Sequence, residues 1–131
     1  MKMDAVGLFV TNVDKSVCFY TDVFDMKANW DGGPYAEFQM ENGYRLMLYG
    51  RKDFEEMISQ KPDYPAKING TMELALDYPE FDDVDKEFDR IIKLGAVPVL
   101  KPTNMPWGQR TSYVADPDGN LIEIGSFGKK D

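Results

Sequence analysis

Apolar side chains fall on every second residue between Asp4 and Asn12, at Val6, Leu8 and Val10, which is the period of a strand with one buried face. Asn12 or Asp14 can cap a following helix, predicted from about Asp14 to Phe24. Met26 to Trp30 reads as a short strand that ends at the turn Asp31-Gly32-Gly33-Pro34. Tyr35 to Met40 alternates again, with Ala36, Phe38 and Met40 on one side. Glu41-Asn42-Gly43 is a hairpin turn, because Asn-Gly tolerates the positive φ such turns require, and Tyr44 to Tyr49 is the return strand. Arg51 to Gln60 suits a short helix or loop, and Lys61 to Asn69, with Pro62 and Pro65, a linker.

The pattern then returns. Gly70 to Tyr78 predicts a strand. Phe81 to Leu94 has the helical period, with Val84, Phe88, Ile91 and Ile92 on one side and Gly95 as its stop. Ala96 to Lys101 predicts a strand and Pro102 to Gly108 a loop. Gln109 to Ala115 and Asn120 to Ser126 are strands on either side of the turn Asp116-Pro117-Asp118-Gly119. That turn has the look of a calcium loop but lacks the remaining oxygen ligands.

Each half therefore reads strand, helix, strand, strand, strand. Ala5 aligns with Glu73, Val13-Asp14-Lys15 with Val84-Asp85-Lys86, and Asn42-Gly43 with Asp118-Gly119. The separation only grows along the chain, as it does when a duplicated module gains residues in two loops. The alternative is two unrelated α+β halves. The organisation expected is one domain, 1–131, with a first module over 1–50, a linker over 51–69 and a second module over 70–131.

The 131 residues suit one domain, and 43% apolar and 13% aromatic residues exclude a disordered chain. Twenty-three acids against fifteen bases give a net charge of −8, which repels phosphate backbones and argues against a nucleic-acid partner. That acidity favours cationic or neutral ligands, and it also serves solubility alone. No apolar run of transmembrane length and no signal peptide is visible, so a cytoplasmic protein with no membrane partner is expected. The single cysteine, Cys18, lies in an apolar helical stretch and is expected to be a buried structural thiol. Histidine is absent, which removes histidine triads, histidine bases and imidazole zinc sites.

Three segments carry a family resemblance. They are Val6-Gly-Leu-Phe-Val-Thr-Asn-Val-Asp-Lys-Ser16 followed by Phe19-Tyr20, then Glu73-Leu-Ala-Leu76 with Asp82-Asp-Val-Asp85, and then Pro106-Trp-Gly-Gln-Arg110 with Tyr113-Val-Ala-Asp-Pro-Asp-Gly-Asn-Leu-Ile-Glu-Ile124. Together they span nearly the whole chain, and the last is the most specific. The chain resembles the glyoxalase / bleomycin-resistance / extradiol-dioxygenase (vicinal oxygen chelate) superfamily. The resemblance implies an α+β fold of two βαβββ modules, whose curved mixed sheets enclose a shared cavity, and it implies a homodimer.

Alternation then sorts the side chains. If Val6, Leu8, Val10, Leu46, Leu48, Leu74, Leu76, Ile122 and Ile124 meet the helices, the cavity side receives Ala5, Gly7, Phe9, Arg45, Met47, Tyr49, Glu73, Ala75, Asp77, Leu121, Glu123 and Gly125. Tyr35, Glu37, Gln39, Thr111, Tyr113 and Ala115 fall on the same side. Metal-dependent relatives carry ligands at positions that become Ala5, Met47, Glu73 and Glu123 here. Only Glu73 and Glu123 suit a hard cation, so the cofactor expected is none or a weakly bound magnesium or manganese ion. Arg45 could pair with either carboxylate. Glu123 is the candidate catalytic residue, as a general base. Glu37, Arg45, Tyr49, Glu73, Trp107 and Tyr113 are the candidate ligand-binding residues, with Trp107 on a mobile lip.

Aromatic side chains (Phe9, Trp30, Tyr35, Tyr49, Trp107 and Tyr113), several on this face and the others in turns beside it, together with a few acids suit a planar or cationic small molecule, although aromatics at this spacing also build cores. The expected function is sequestration of a small aromatic or cationic ligand without tight metal. The alternative is a metal-assisted lyase, isomerase or dioxygenase of the glyoxalase type using Glu73 and Glu123.

Overall fold

The computed structural model of the chain describes residues 1–129. Among them are eight strands and three helices: β1 (Ala5–Val10), α1 (Val13–Phe24), β2 (Ala28–Trp30), β3 (Tyr35–Gln39), β4 (Arg45–Gly50), α2 (Arg51–Ile58), β5 (Asn69–Asp77), α3 (Phe81–Lys93), β6 (Val97–Asn104), β7 (Arg110–Ala115) and β8 (Asn120–Ser126). They form two compact units, residues 1–64 and the chain from Pro65 onward. No helix among the described residues is long and apolar enough to cross a membrane.

The first unit is a mixed four-stranded sheet in the order β1-β4-β3-β2. β1 runs parallel to β4, and the other pairs are antiparallel. One face carries Leu8, Val10, Ala36, Phe38, Leu46 and Leu48, all buried, against Val17, Phe19, Tyr20 and Val23 of α1. The Tyr20 and Phe38 rings meet at 5.9 Å between centroids. Each such fully buried side chain adds about 1.5–3 kcal/mol of hydrophobic stabilisation. Asn12 caps α1, its side-chain oxygen accepting the Lys15 N–H at 3.0 Å. Cys18 is exposed, contrary to expectation. The buried stripe of α1 runs through Ser16, Val17, Phe19, Tyr20 and Val23, and the helical period turns position 18 away from the sheet.

The second unit repeats this topology in the order β5-β8-β7-β6, with β5 parallel to β8. Val84 and Ile91 of α3 are buried, as are Val114, Ile122 and Ile124 of the sheet they cover. Asp85 accepts a two-pronged ion pair from Arg110 on β7, with both contacts at 2.7 Å, which ties the helix to the strand. β6 extends through Pro102 to Asn104, where a loop from Pro102 was expected. It is an edge strand, so prolines cost it no ladder bonds, and its register shifts twice between Pro98 and Thr103 to admit them.

Register relates the two units residue by residue. Ala5 faces Arg45 as Glu73 faces Leu121, and Gly7 faces Met47 as Ala75 faces Glu123. Glu37 opposite Met47 corresponds to Tyr113 opposite Glu123. Gly43 and Gly119 close equivalent hairpins with the same φ of 84°.

Candidate functional site

Because each sheet buries its even-numbered face under α1 or α3, the odd-numbered side chains emerge on the opposite face. In the first unit these are Phe9, Tyr35, Glu37, Arg45, Met47 and Tyr49, all exposed or half-buried. α2 lies over part of this face. Phe54 stacks on Phe9 at 4.0 Å between centroids and meets the edge of Tyr49 at 6.3 Å. Arg51 of the same helix donates from Nε to the Phe9 carbonyl at 3.0 Å and lies 4.4 Å over the Tyr64 ring.

The polar part of that face is internally matched. Arg45 donates from Nη2 to Asp4 Oδ2 at 2.5 Å and from Nη1 to Glu37 Oε2. Glu37 also accepts from the Tyr35 hydroxyl at 2.8 Å and the Asn29 amide at 3.2 Å. Tyr35, Arg45 and Asn29 hold the Glu37 carboxyl below its ordinary range, and Arg45 does the same for Asp4. Within its own unit Arg45 therefore pairs with Asp4 and Glu37. The parallel pairing of β1 and β4 delivers Asp4 to it, since the Arg45 N–H donates to the Asp4 carbonyl.

The second unit presents a different chemistry on the equivalent face. Glu123 Oε2 accepts from Thr111 Oγ1 at 2.9 Å and from the Tyr113 hydroxyl at 3.0 Å. Glu73 also acts on the Tyr113 hydroxyl, raising its pKa. Burial first, and then the two carboxylates, push the Tyr113 phenol well above its ordinary range, so it stays a proton donor at neutral pH. Glu123 thus accepts from two hydroxyls, and among the described residues no ion pair reaches it or Glu73.

Trp107 sits in the β6–β7 hairpin and is 63% exposed. The turn is closed by Met105 N–H to the Gln109 carbonyl at 2.7 Å and Gly108 N–H to the Met105 carbonyl at 3.1 Å. The indole N–H donates to Gln109 Oε1 at 2.9 Å. The expected site residues thus fall into two sets. Glu37, Arg45 and Tyr49 are together in the first unit, and Glu73, Trp107, Tyr113 and Glu123 lie in the second. Asp4, Asn29, Phe54, Thr111 and Gln109 complete these sets as polar or ring partners.

No three of the histidine, cysteine, aspartate and glutamate side chains come together among the described residues. Glu73 and Glu123, on neighbouring strands and two register positions apart, have the donor chemistry for a hard cation that would need water for its remaining ligands. It does not fit a closed tetrahedral nitrogen–sulfur site.

A family model described as a glyoxalase-like domain matches residues 3–127. The uncharacterized protein YraH of Bacillus subtilis is 28% identical over 127 residues, covering 95% of this chain and 97% of its own. A glyoxalase-related enzyme from Fulvimarina pelagi has a similar structure, with a TM-score of 0.82, 23% identity, and coverage of 95% of this chain and 87% of its own. A glyoxalase/bleomycin resistance protein/dioxygenase from Nocardioides superposes with a TM-score of 0.84 at 20% identity, over 100% of this chain and 86% of its own.

Proposed function

The chain belongs to the glyoxalase-like domain family, and from that premise we propose that it binds a small cationic, aromatic-bearing molecule at Glu73, Tyr113 and Glu123, with no tightly held metal. The observation that carries this reading is the contrast between the units. Arg45 pairs with Asp4 and Glu37 on the first unit's face, whereas among the described residues of the second unit no ion pair reaches Glu73 or Glu123. A ligand ammonium group would supply the missing charge. The Tyr113 and Thr111 hydroxyls orient Glu123 for it. The exposed Trp107 indole, at the turn before β7, offers an apolar and cation-binding surface.

Glu73 and Glu123 are also the residues that would hold magnesium or manganese, and such an ion would supply Lewis-acid chemistry to a bound oxygen. In that second reading Glu123 would be the residue to shuttle a proton and Tyr113 the donor to a developing oxyanion. Its support is the same pair of carboxylates, and it predicts competition between cation and amine.

Isothermal titration calorimetry with phenethylamine and its neutral analogue 2-phenylethanol tests the reading. The amine should bind and the alcohol should bind far more weakly. Glu123→Gln or Glu73→Gln should weaken the amine by about fivefold, the order of one exposed charge pair, while leaving the melting temperature nearly unchanged. Magnesium added after chelator treatment should compete weakly. Equal binding of amine and alcohol sinks the proposal. So does stoichiometric zinc that survives dialysis.

A further inference from the structure

Gly7 stands in the middle of β1, on the open face of the first unit's sheet, and it is exposed there. Its φ is not positive, so the backbone does not require a glycine. A glycine inside a strand forgoes side-chain packing and often marks a place where another group approaches closely. The register sets Met47 beside it on β4. Outside its chain neighbours, Met47 Cε is the one heavy atom within 4 Å of where a Cβ would stand, at 3.5 Å. That contact is with the free end of a flexible side chain, so the space over Gly7 is open. In the second unit Ala75 holds the corresponding position and Glu123 that of Met47.

One side of this open space is walled by rings. Phe9, Tyr49 and Tyr35 pair side by side across β1, β4 and β3, one row from Gly7. Phe54 of α2 backs that row, stacked on Phe9 and edge-on to Tyr49. No atom of α2 comes within 4 Å of the Gly7 Cβ position, so the helix covers the row and stops short of the glycine. Phe9 and Tyr35 stay 40% and 38% exposed. The polar neighbours are already matched: the Tyr35 hydroxyl donates to Glu37, and Arg45 donates to Glu37 and Asp4. What the surface offers beyond them is ring edges and a thioether, which favour a flat apolar partner.

We infer that Gly7, Met47, Phe9 and Tyr49 form a second binding site, built wholly from the first unit, that takes an uncharged planar aromatic ring. The ring lies over the bare backbone of Gly7, with the Met47 thioether alongside and Phe9 and Tyr49 as its wall. The site shares no residue with Glu73, Tyr113 and Glu123, so it stands or falls apart from the cationic-ligand reading.

The test is fluorescence titration with N-phenyl-1-naphthylamine, an uncharged aromatic probe that brightens in apolar surroundings. Wild type should bind it, 2-naphthol should displace it, and 2-naphthoate, the same ring system carrying a charge, should displace it about tenfold less well. Gly7→Val fills the space with a residue favoured in strands, so the melting temperature should hold or rise while probe affinity falls at least tenfold. Gly7→Ala, the side chain the second unit carries at this point, should give a smaller loss with the fold intact. Tyr49→Leu should lose about fivefold, the order of one aromatic pair. An excess of phenethylamine should leave the probe in place. No brightening with wild type, affinity that survives both Gly7 variants, or equal displacement by 2-naphthoate overturns the inference. Displacement by phenethylamine does so as well, because amine and ring would then share one site. If Gly7→Val melts early, Gly7→Ala and Tyr49→Leu decide, and unchanged affinity in both overturns it.

Discussion

Gly43 and Gly119 occupy equivalent turns, both at φ 84°, yet alanine should be tolerated at one and not at the other. A left-handed backbone costs a non-glycine residue about 1–2 kcal/mol. At Gly43 nothing lies within 4 Å of the added Cβ, so that conformational term is the whole cost. At Gly119 the Cβ would sit 2.4 Å from the Lys67 carbonyl oxygen, 3.0 Å from its carbon and 3.2 Å from the Ile68 Cα. All three atoms are backbone and none can swing aside. Relief requires moving the segment that leads into β5, and Asn69 N–H donates to the Gly119 carbonyl at 2.8 Å. Losing that bond adds about 1 kcal/mol, and residual overpacking adds about 1–3 kcal/mol. Gly43→Ala should therefore cost about 1–2 kcal/mol and Gly119→Ala about 3–6 kcal/mol. With roughly 4 °C of melting temperature per kcal/mol for a chain of this size, the two variants should melt about 10 °C apart. Urea titration should give the same order through the midpoint, with the slope unchanged. Equal losses, or a milder loss at Gly119, would refute the close approach of Lys67 on which the difference depends.

The Asp4–Arg45–Glu37 cluster makes a prediction on the acid side. Both carboxyls are held below their ordinary values of 3.8 and 4.5, so their stabilisation is present above those values and is lost as the pH falls through the lowered ones. Arg45→Met should flatten that loss, as read by thermal melts across the acid range. Tyr113 makes the opposite prediction. Its raised value means that stabilisation is complete below pH 10 and declines as the pH rises above it, because the unfolded phenol ionises first. Tyr113→Phe should remove that alkaline decline, and ultraviolet titration should show one fewer late-ionising tyrosine.

Alternation made the strands readable because each sheet has one face that must be dry. Leu46 and Leu48 are buried while Arg45, Met47 and Tyr49 between them are only half so. β8 matches its expected span, Asn120 to Ser126, because a turn bounds it on one side and Gly125-Ser126 ends its apolar run on the other. β6 was harder. Pro102 suggested a loop, but an edge position makes a proline harmless. Cys18 misled because apolar neighbours on both sides gave no phase to a single helical turn. The site was legible as a face but not as a set of partners. Parallel pairing of β1 and β4 brings Asp4 to Arg45 across 41 residues of sequence, and no local pattern announces that. Phe54 reaches Phe9 from a helix whose apolar residues are too few to reveal what it covers. Gln109 was visible only as a letter between Gly108 and Arg110, because its bond to Trp107 depends on a hairpin that folds the indole back onto it.

One backbone plan, used twice, has thus been given opposite electrostatics, and the register says which residue makes the difference. Arg45 stands opposite Ala5 and beside Glu37, and it neutralises the acids of its face. The residue in its place in the second unit is Leu121, opposite Glu73 and two positions from Glu123, with Tyr113 where Glu37 stands. Leu121→Arg should therefore transplant the first unit's cation into the second. Its guanidinium would start from the strand position directly beside Glu73, on the face that Tyr113 and Glu123 share. The side chain is half-buried at a strand position open to that face, so the longer residue can extend without displacing the core under α3. The internal charge should then occupy the place proposed for a ligand ammonium and weaken phenethylamine binding by at least tenfold, whereas Leu121→Met, of similar reach but uncharged, should change it little. Stability should hold or rise slightly, as expected of a partly exposed ion pair. If Leu121→Arg binds the amine as wild type does, the unpaired carboxylates are not what holds the ligand.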